Sequence, residues 1–219
     1  MARLIFDLDG TLLDTAPTLC RAGNALLAHH GRAPVDVETY KRFVGRGMRM
    51  QVQQLLEATG GIPATGLDTA LRTFLGLYKD DPIALTTPFP GVADTLALLS
   101  LSHTLGVATQ KPEAAALHVL ETFDLLRFFG AVTGGDTLDR LKPDPAMLTH
   151  TAAALGSGAV VFIGDSETDS QTARNANVPF VLHTQGYRQK SIAELDPAGH
   201  FAQYDALPTV LRHIIGVTA

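Results

Sequence analysis

The sequence predicts an α/β protein with a Rossmann-like, doubly wound parallel sheet and an all-helical block inserted after the first strand. Three observations predict it. Short apolar, β-branched-rich runs alternate with helical patterns along most of the chain. Those runs are apolar on both faces, as in strands covered by helices on two sides. The interval from Thr15 to about Thr87 breaks the alternation and carries helical patterns only.

The predicted strands are Leu4-Ile5-Phe6, Leu105-Gly106-Val107-Ala108, Ala131-Val132, Val160-Val161-Phe162-Ile163 and Phe180-Val181-Leu182. Between them, helical spacing places Val92, Leu96 and Leu99 on one face of 91–101, Leu117, Leu120 and Phe123 on one face of 113–123, and Leu148 and Leu155 within 146–155. Segments 168–177 and 207–215 complete the core helices. Inside the insert, helices are expected over 16–30, 37–43, 48–59 and 67–78, with Gly60-Gly61-Ile62-Pro63 breaking the last two apart. The expected division is a core of 1–14 with 88–219, and a helical cap domain of 15–87, joined near Leu13 and near Thr87-Pro88.

Bulk composition narrows the class. The 219 residues carry a formal net charge of −5, which supplies no long-range attraction for nucleic acid, and no run of like charge suggests an anionic membrane surface. The single cysteine, Cys20, lies in a helical pattern and reads as a small buried hydrophobe. The start MARLIFDLDG reaches acidic residues too early for a signal peptide, and the longest apolar stretches are strand-sized. A cytoplasmic protein, acting as a monomer or homodimer on a small metabolite, is expected. The eight histidines show no zinc-site spacing.

Four clusters carry the chemistry. Asp7-Leu8-Asp9-Gly10-Thr11 follows the first strand; alternation lets Asp7 and Asp9 share a side, and two such acids need a cation or a shared proton. Val107-Ala108-Thr109-Gln110-Lys111 ends the second strand, where a hydroxyl and backbone N–H groups can hold phosphate oxygens. Leu141-Lys142-Pro143-Asp144-Pro145 places an ammonium before a helix, able to neutralise carboxylates and a phosphoryl group. Ile163-Gly164-Asp165-Ser166-Glu167-Thr168-Asp169 ends a buried strand with hard oxygen ligands suited to Mg²⁺. Each cluster alone also fits an ordinary loop or helix cap. Their order at the strand ends of one sheet is far more specific, because ligands of open α/β sheets bind there.

In this combination the chain resembles the haloacid dehalogenase-like hydrolase superfamily over nearly its whole length. Pro88-Phe89-Pro90-Gly91-Val92, Gly134-Gly135-Asp136-Thr137, Lys142-Pro143-Asp144-Pro145, Gly164-Asp165-Ser166 and Gly186-Tyr187 resemble its bacterial phosphoglycolate phosphatase subgroup. The resemblance implies a Mg²⁺-dependent phosphatase in which Asp7 attacks phosphorus and Asp9 acts as acid and then base. Thr109, Gln110 and Thr11 would contact the phosphoryl group, and Lys142 would stabilise the nucleophile and the transition state. The metal would sit on Asp7, the Asp9 carbonyl and Asp165, with Asp169 holding a metal-bound water or orienting Lys142. Gln110 departs from the family's usual Asn, and Glu167-Thr168 from its usual basic or amide pair.

The implied substrate is a small phosphorylated metabolite, 2-phosphoglycolate first. Gly45-Arg46-Gly47 is the expected carboxylate-reading loop, with Arg49 as second choice; Arg46→Ala should then raise KM for phosphoglycolate more than for p-nitrophenyl phosphate. Other readings are a phosphatase of another small organic phosphate, a β-phosphoglucomutase-like transferase, and a phospho-acceptor signalling module. The last would lack a use for Asp9.

Overall fold

The computed structural model describes residues 1–217. In chain order the elements are β1 (Ala2–Phe6), β2 (Leu13–Asp14), α1 (Ala16–His29), α2 (Val37–Lys41), α3 (Met48–Ala58), α4 (Leu67–Lys79) and β3 (Thr87–Pro88). They continue as α5 (Val92–Ser100), β4 (Thr104–Ala108), α6 (Glu113–Thr122), β5 (Phe129–Thr133), α7 (Ala146–Ala154) and β6 (Ala159–Gly164). The chain then runs through α8 (Glu167–Ala176), β7 (Phe180–His183), α9 (Ile192–Leu195), β8 (Gly199–Phe201) and α10 (Leu207–Val217).

Six strands form one sheet in the order β5-β4-β1-β6-β7-β8, and every pairing within it is parallel. The chain winds outward from β1 through β4 to β5, then returns to the other side of β1 for β6. The central position of β1 therefore creates a switch point beside its carboxyl end. Alternation assigns the two faces: Leu4, Phe6, Val107 and Ile163 enter one buried cluster, whereas Ile5, Ala108, Phe162 and Leu182 enter another.

The four helices α1 to α4 build a third cluster of their own. Leu19, Leu26, Tyr40, Val52, Leu55 and Phe74 are buried in it. Tyr40 brings a hydroxyl into that apolar space, and Gln51 donates to it at 2.7 Å, so the polar atom is not stranded. The two connections to the sheet are tied by β2 and β3, which pair antiparallel through Leu13 with Pro88 and Asp14 with Thr87.

Three features differ from the sequence expectation. The interval expected to hold only helices is bounded by the β2–β3 pair, whose strands are two residues each and too short to carry a period. β8 is an edge strand reading Gly-His-Phe, with no apolar run to mark it. α9 is a single turn, held by a capping box between Ser191 and Glu194.

Candidate active site

The site is assembled where β1, β4 and β6 end. After β1, Gly10 turns the chain at φ +83°, and a Cβ there would come within 2.4 Å of Asp165 Oδ2. Gly186 packs on the other side of Asp165, where a Cβ would meet the Asp165 Cβ at 2.3 Å. The two glycines let two loops close on one carboxylate. Both Asp165 oxygens are engaged: Thr11 Oγ1 donates to Oδ1 at 2.9 Å, and the Tyr187 backbone N–H donates to Oδ2 at 2.7 Å.

Asp7, Asp165 and Asp169 are buried, and an oxygen from each lies within 4.8 Å of the others. Lys142 enters from the loop before α7, with Nζ 2.9 Å from Asp7 Oδ1 and 2.7 Å from Asp169 Oδ1. The contact to Asp169 is a hydrogen bond, whereas Asp7 Oδ1 is buried with no hydrogen-bond partner. Asp169 is fixed on its other oxygen too. Its Oδ2 accepts from the backbone N–H groups of Asp165 and Ser166 and from the Ser166 hydroxyl, closing a capping box at the start of α8.

The electrostatics follow from burial. Desolvation pushes the Asp7 carboxyl up to about 7, with Lys142 opposing and Asp169 and Asp9 adding to the rise. Burial likewise raises Asp165 well above the ordinary carboxylate range, with Asp169 and Asp7 adding repulsion. Lys142 is held protonated: Asp169 and Asp7 outweigh the burial that would lower it. Four carboxylates, those of Asp7, Asp9, Asp165 and Asp169, face two ammoniums, those of Lys111 and Lys142. With all four acids ionised, two negative charges would stand uncompensated, which fits a hard divalent cation with oxygen ligands.

The sequence-derived candidates do not all converge on one cavity. Asp7, Asp9, Thr109, Gln110 and Lys142 line it, opposite Val44, Gly45, Gly47 and Gln51 of the helical insert. The room left between them is about 20 Å³, enough for about one water. Thr11, expected on the substrate, is fully buried and gives its hydroxyl to Asp165 instead. Asp169 has its oxygens committed to Lys142 and the α8 N-terminus, which suits orienting Lys142 better than direct metal ligation.

Arg46 is exposed and lines two neighbouring clefts. One of these it shares with Gln110 and Lys142. Arg49 is ion-paired with Asp68 on the surface of the insert.

Both departures from the family pattern have structural explanations. Gln110 uses its extra methylene to reach the insert, donating from Nε2 to the Gly45 carbonyl at 2.7 Å. Glu167 turns away from the acid cluster and accepts the backbone N–H groups of Gln189 and Lys190 at 2.7 and 2.6 Å. The Gly134–Thr137 segment proves to be a brace: the Asp136 carboxylate accepts from Glu113 N at 2.7 Å, and Gly135 N donates to the Lys111 carbonyl at 2.8 Å.

Two residues carry more than the sequence analysis assigned to them. Lys111, with no side-chain exposure, places Nζ 3.0 and 3.2 Å from the two oxygens of Asp9. Tyr187 joins the site to the first connection of the insert: its hydroxyl accepts from the N–H groups of Thr15 and Ala16 and donates to Asp14 at 2.8 Å. A lysine two residues beyond a strand-end threonine, and a tyrosine after a late glycine, carry no local signal of such long-range partners.

Comparison with known proteins agrees with this geometry. The family model for haloacid dehalogenase-like hydrolase matches residues 4–183. A phosphoglycolate phosphatase of Cereibacter sphaeroides (strain ATCC 17029 / ATH 2.4.9) is 39% identical over 217 residues, covering 98% of this chain and 100% of that protein. One from Rhodospirillum rubrum is 40% identical over 212 residues, covering 93% and 88%. Among solved structures, a predicted phosphoglycolate phosphatase from Haemophilus somnus 129PT superposes with a TM-score of 0.88 at 25% identity, covering 95% of this chain and 96% of the other. The matched span contains the strand-end acids, the threonine and the lysine that meet in the site, and the chain belongs to the haloacid dehalogenase-like hydrolases.

Proposed function

We propose that this hydrolase cleaves a small phosphate monoester, 2-phosphoglycolate first, through a covalent acyl phosphate on Asp7. The observation that carries the reading is the convergence on one cavity of Asp7, Asp9 and Thr109 from the ends of the adjacent strands β1 and β4 with Lys142 from the loop before α7. The relatives named phosphoglycolate phosphatase support the substrate.

In this reading an Asp7 carboxylate oxygen attacks phosphorus, and the P–O bond to the leaving group breaks as Asp9 delivers a proton to the ester oxygen. Asp9 then withdraws a proton from a water whose oxygen attacks phosphorus, which cleaves the acyl phosphate and regenerates Asp7. Lys142 holds Asp7 in place and offsets charge on the phosphoryl oxygens. The Thr109 hydroxyl and adjacent backbone N–H groups position those oxygens, and Asp169 fixes Lys142. Asp7, Asp165 and the Asp9 carbonyl would hold Mg²⁺, which when bound supplies positive charge to the phosphoryl group and keeps Asp7 deprotonated.

The helical insert acts as a cap in this proposal. With about 20 Å³ free, substrate entry requires the insert to move away from the sheet, and closure then excludes bulk water. The experiment is steady-state phosphate release from a panel of esters with Mg²⁺. Multiple turnovers with highest kcat/KM on phosphoglycolate are expected, and none with Asp7→Asn. At most one equivalent released from a phosphodonor would instead make the chain a phospho-acceptor, and unchanged turnover by Asp7→Asn would reject Asp7 as nucleophile.

A further inference from the structure

We infer that Lys111 is the specificity-determining cation of this site and that it binds the carboxylate of the leaving group. The inference rests on the phosphoglycolate reading above and assigns its recognition to the core rather than to the arginine of the insert.

The argument begins with cost. An ammonium with no side-chain exposure has lost its water, and such a charge persists only beside a compensating partner. Asp9 is that partner, with both its oxygens within 3.2 Å of Nζ. Lys111 is also held from its backbone. Its N–H donates to Thr109 Oγ1 at 3.2 Å, and its carbonyl accepts from Gly135. On the insert side, the Tyr78 ring lies against the ammonium, 5.4 Å from Nζ to its centroid. The cation is thus built into the cavity wall.

Its position relative to the reaction follows from Asp9. The group that protonates the ester oxygen must touch it, so the ester oxygen sits at Asp9 and next to Lys111. In a 2-phospho-α-hydroxy acid the carboxylate is separated from the ester oxygen by a single carbon. A carboxylate tethered that closely lands beside the same ammonium. Of the two cationic side chains lining this cavity, Lys142 already faces two carboxylates, Asp7 and Asp169, whereas Lys111 faces Asp9 alone and is the one with charge left for a substrate carboxylate. Arg46 and Lys190 line the clefts outside. An ammonium has three donors and no planar fork, so it reads charge rather than carboxylate shape. The substrate class is therefore the small 2-phospho-α-hydroxy acids, with tolerance for a substituent on the intervening carbon.

The test compares phosphoglycolate with its neutral amide, phosphoglycolamide, using the Mg²⁺-loaded enzyme. Unsubstituted enzyme should favour the acid. In Lys111→Met, KM for the acid should rise about 10- to 100-fold, as for loss of a charged hydrogen bond, with KM for the amide nearly unchanged. Arg46→Ala should leave the acid-to-amide ratio close to its starting value. If Lys111→Met does not fold by its thermal transition, Lys111→Arg against Lys111→Gln gives the same comparison, with discrimination retained only by the charged variant. Equal loss of kcat on both esters with the acid-to-amide ratio of kcat/KM unchanged in Lys111→Met would mean that Lys111 only positions Asp9, and would overturn the inference while leaving the phosphatase reading intact. Discrimination lost in Arg46→Ala and kept in Lys111→Met would also overturn it. An unsubstituted enzyme that hydrolyses both esters alike would reject the phosphoglycolate reading and the inference with it.

Discussion

The floor and the roof of the cavity are built in different ways. The floor comes from strand ends and the α8 N-terminus, and its groups are over-determined: Asp165 accepts from Thr11 and Tyr187, while Asp169 accepts from Lys142, Ser166 and two backbone N–H groups. The roof is a helical unit with its own apolar cluster. It meets the floor through a few polar contacts: Gln110 to Gly45, Tyr187 to the 14–16 segment, and Tyr78 against Lys111. A floor so tightly bonded keeps its chemistry through changes elsewhere. A roof joined in this way fits the cap role proposed above, in which it moves and selects the substrate without disturbing the reacting groups.

The strongest test of that contrast is on the floor. Asp7→Asn keeps the shape and removes the nucleophile, so kcat should fall on the order of 10⁴-fold or more while the fold survives. Steady-state phosphate release together with the thermal midpoint checks both halves. Residual turnover within tenfold of the parent would mean that the floor is not where the covalent step occurs.

Lys142→Met should damage activity and stability together. Its ammonium is buried between Asp7 and Asp169, and removal leaves two buried carboxylates without their cation. Breaking a buried ion pair from one side costs about 3–5 kcal/mol, and loss of the phosphoryl-stabilising charge adds about 10²–10³-fold in kcat. Denaturant melts and kinetics on one preparation would show both effects. A drop in kcat with unchanged stability would mean that the acids find other compensation.

Much of the floor was legible in the sequence because its leading acids end apolar runs: Asp7 follows Leu4-Ile5-Phe6, and Asp165 follows Val160–Gly164. The order of such runs fixes which ends lie side by side once the sheet is parallel. The binding partners were less legible. Thr11 is expected from the sequence on the phosphoryl group, yet a neighbouring strand presents Asp165 to it across 154 positions of sequence. Lys111 could not be told from a helix-start lysine, because Asp9 and Tyr78 reach it from different parts of the chain. The roof was legible as helices, since the 3.6-residue period is local, but where Arg46 points depends on how the insert packs, which no local pattern encodes. β8 was missed because a three-residue Gly-His-Phe edge strand is defined by its neighbour β7 rather than by its own composition.

The floor also predicts a pH effect once metal is removed. Asp7 has its carboxyl pushed from 3.8 to about 7, chiefly by burial, with Lys142, Asp169 and Asp9 as the charged groups around it. Between those values the folded protein keeps the proton and the unfolded chain gives it up. Stability of the chelated protein, measured relative to Asp7→Asn, should therefore fall as pH rises from about 4 to about 7 and level off above. Mg²⁺ selects the deprotonated form, so its stabilising effect should grow over the same interval. Thermal midpoints of both proteins at pH 5 and pH 8, with chelator and with Mg²⁺, check the sign. A relative stability that stays flat between pH 5 and pH 8 in chelator would show that Asp7 is ionised throughout and that Lys142 outweighs burial.

The smallest effect belongs to the roof. Gln110→Ala removes the bond to the Gly45 carbonyl and nothing from the floor, since its backbone still stands beside Thr109. A single neutral hydrogen bond contributes about 1 kcal/mol, and this one exists only while the insert is closed, so closure should weaken about fivefold. That loss should raise KM about fivefold for phosphoglycolate and for p-nitrophenyl phosphate alike, because closure precedes chemistry on either ester. The thermal midpoint should barely change, because the two apolar clusters on either side of the seam keep their packing. A selective effect on phosphoglycolate would instead place the Gln110 side chain on substrate. The floor would then extend one residue further into specificity than its hydrogen bonds imply.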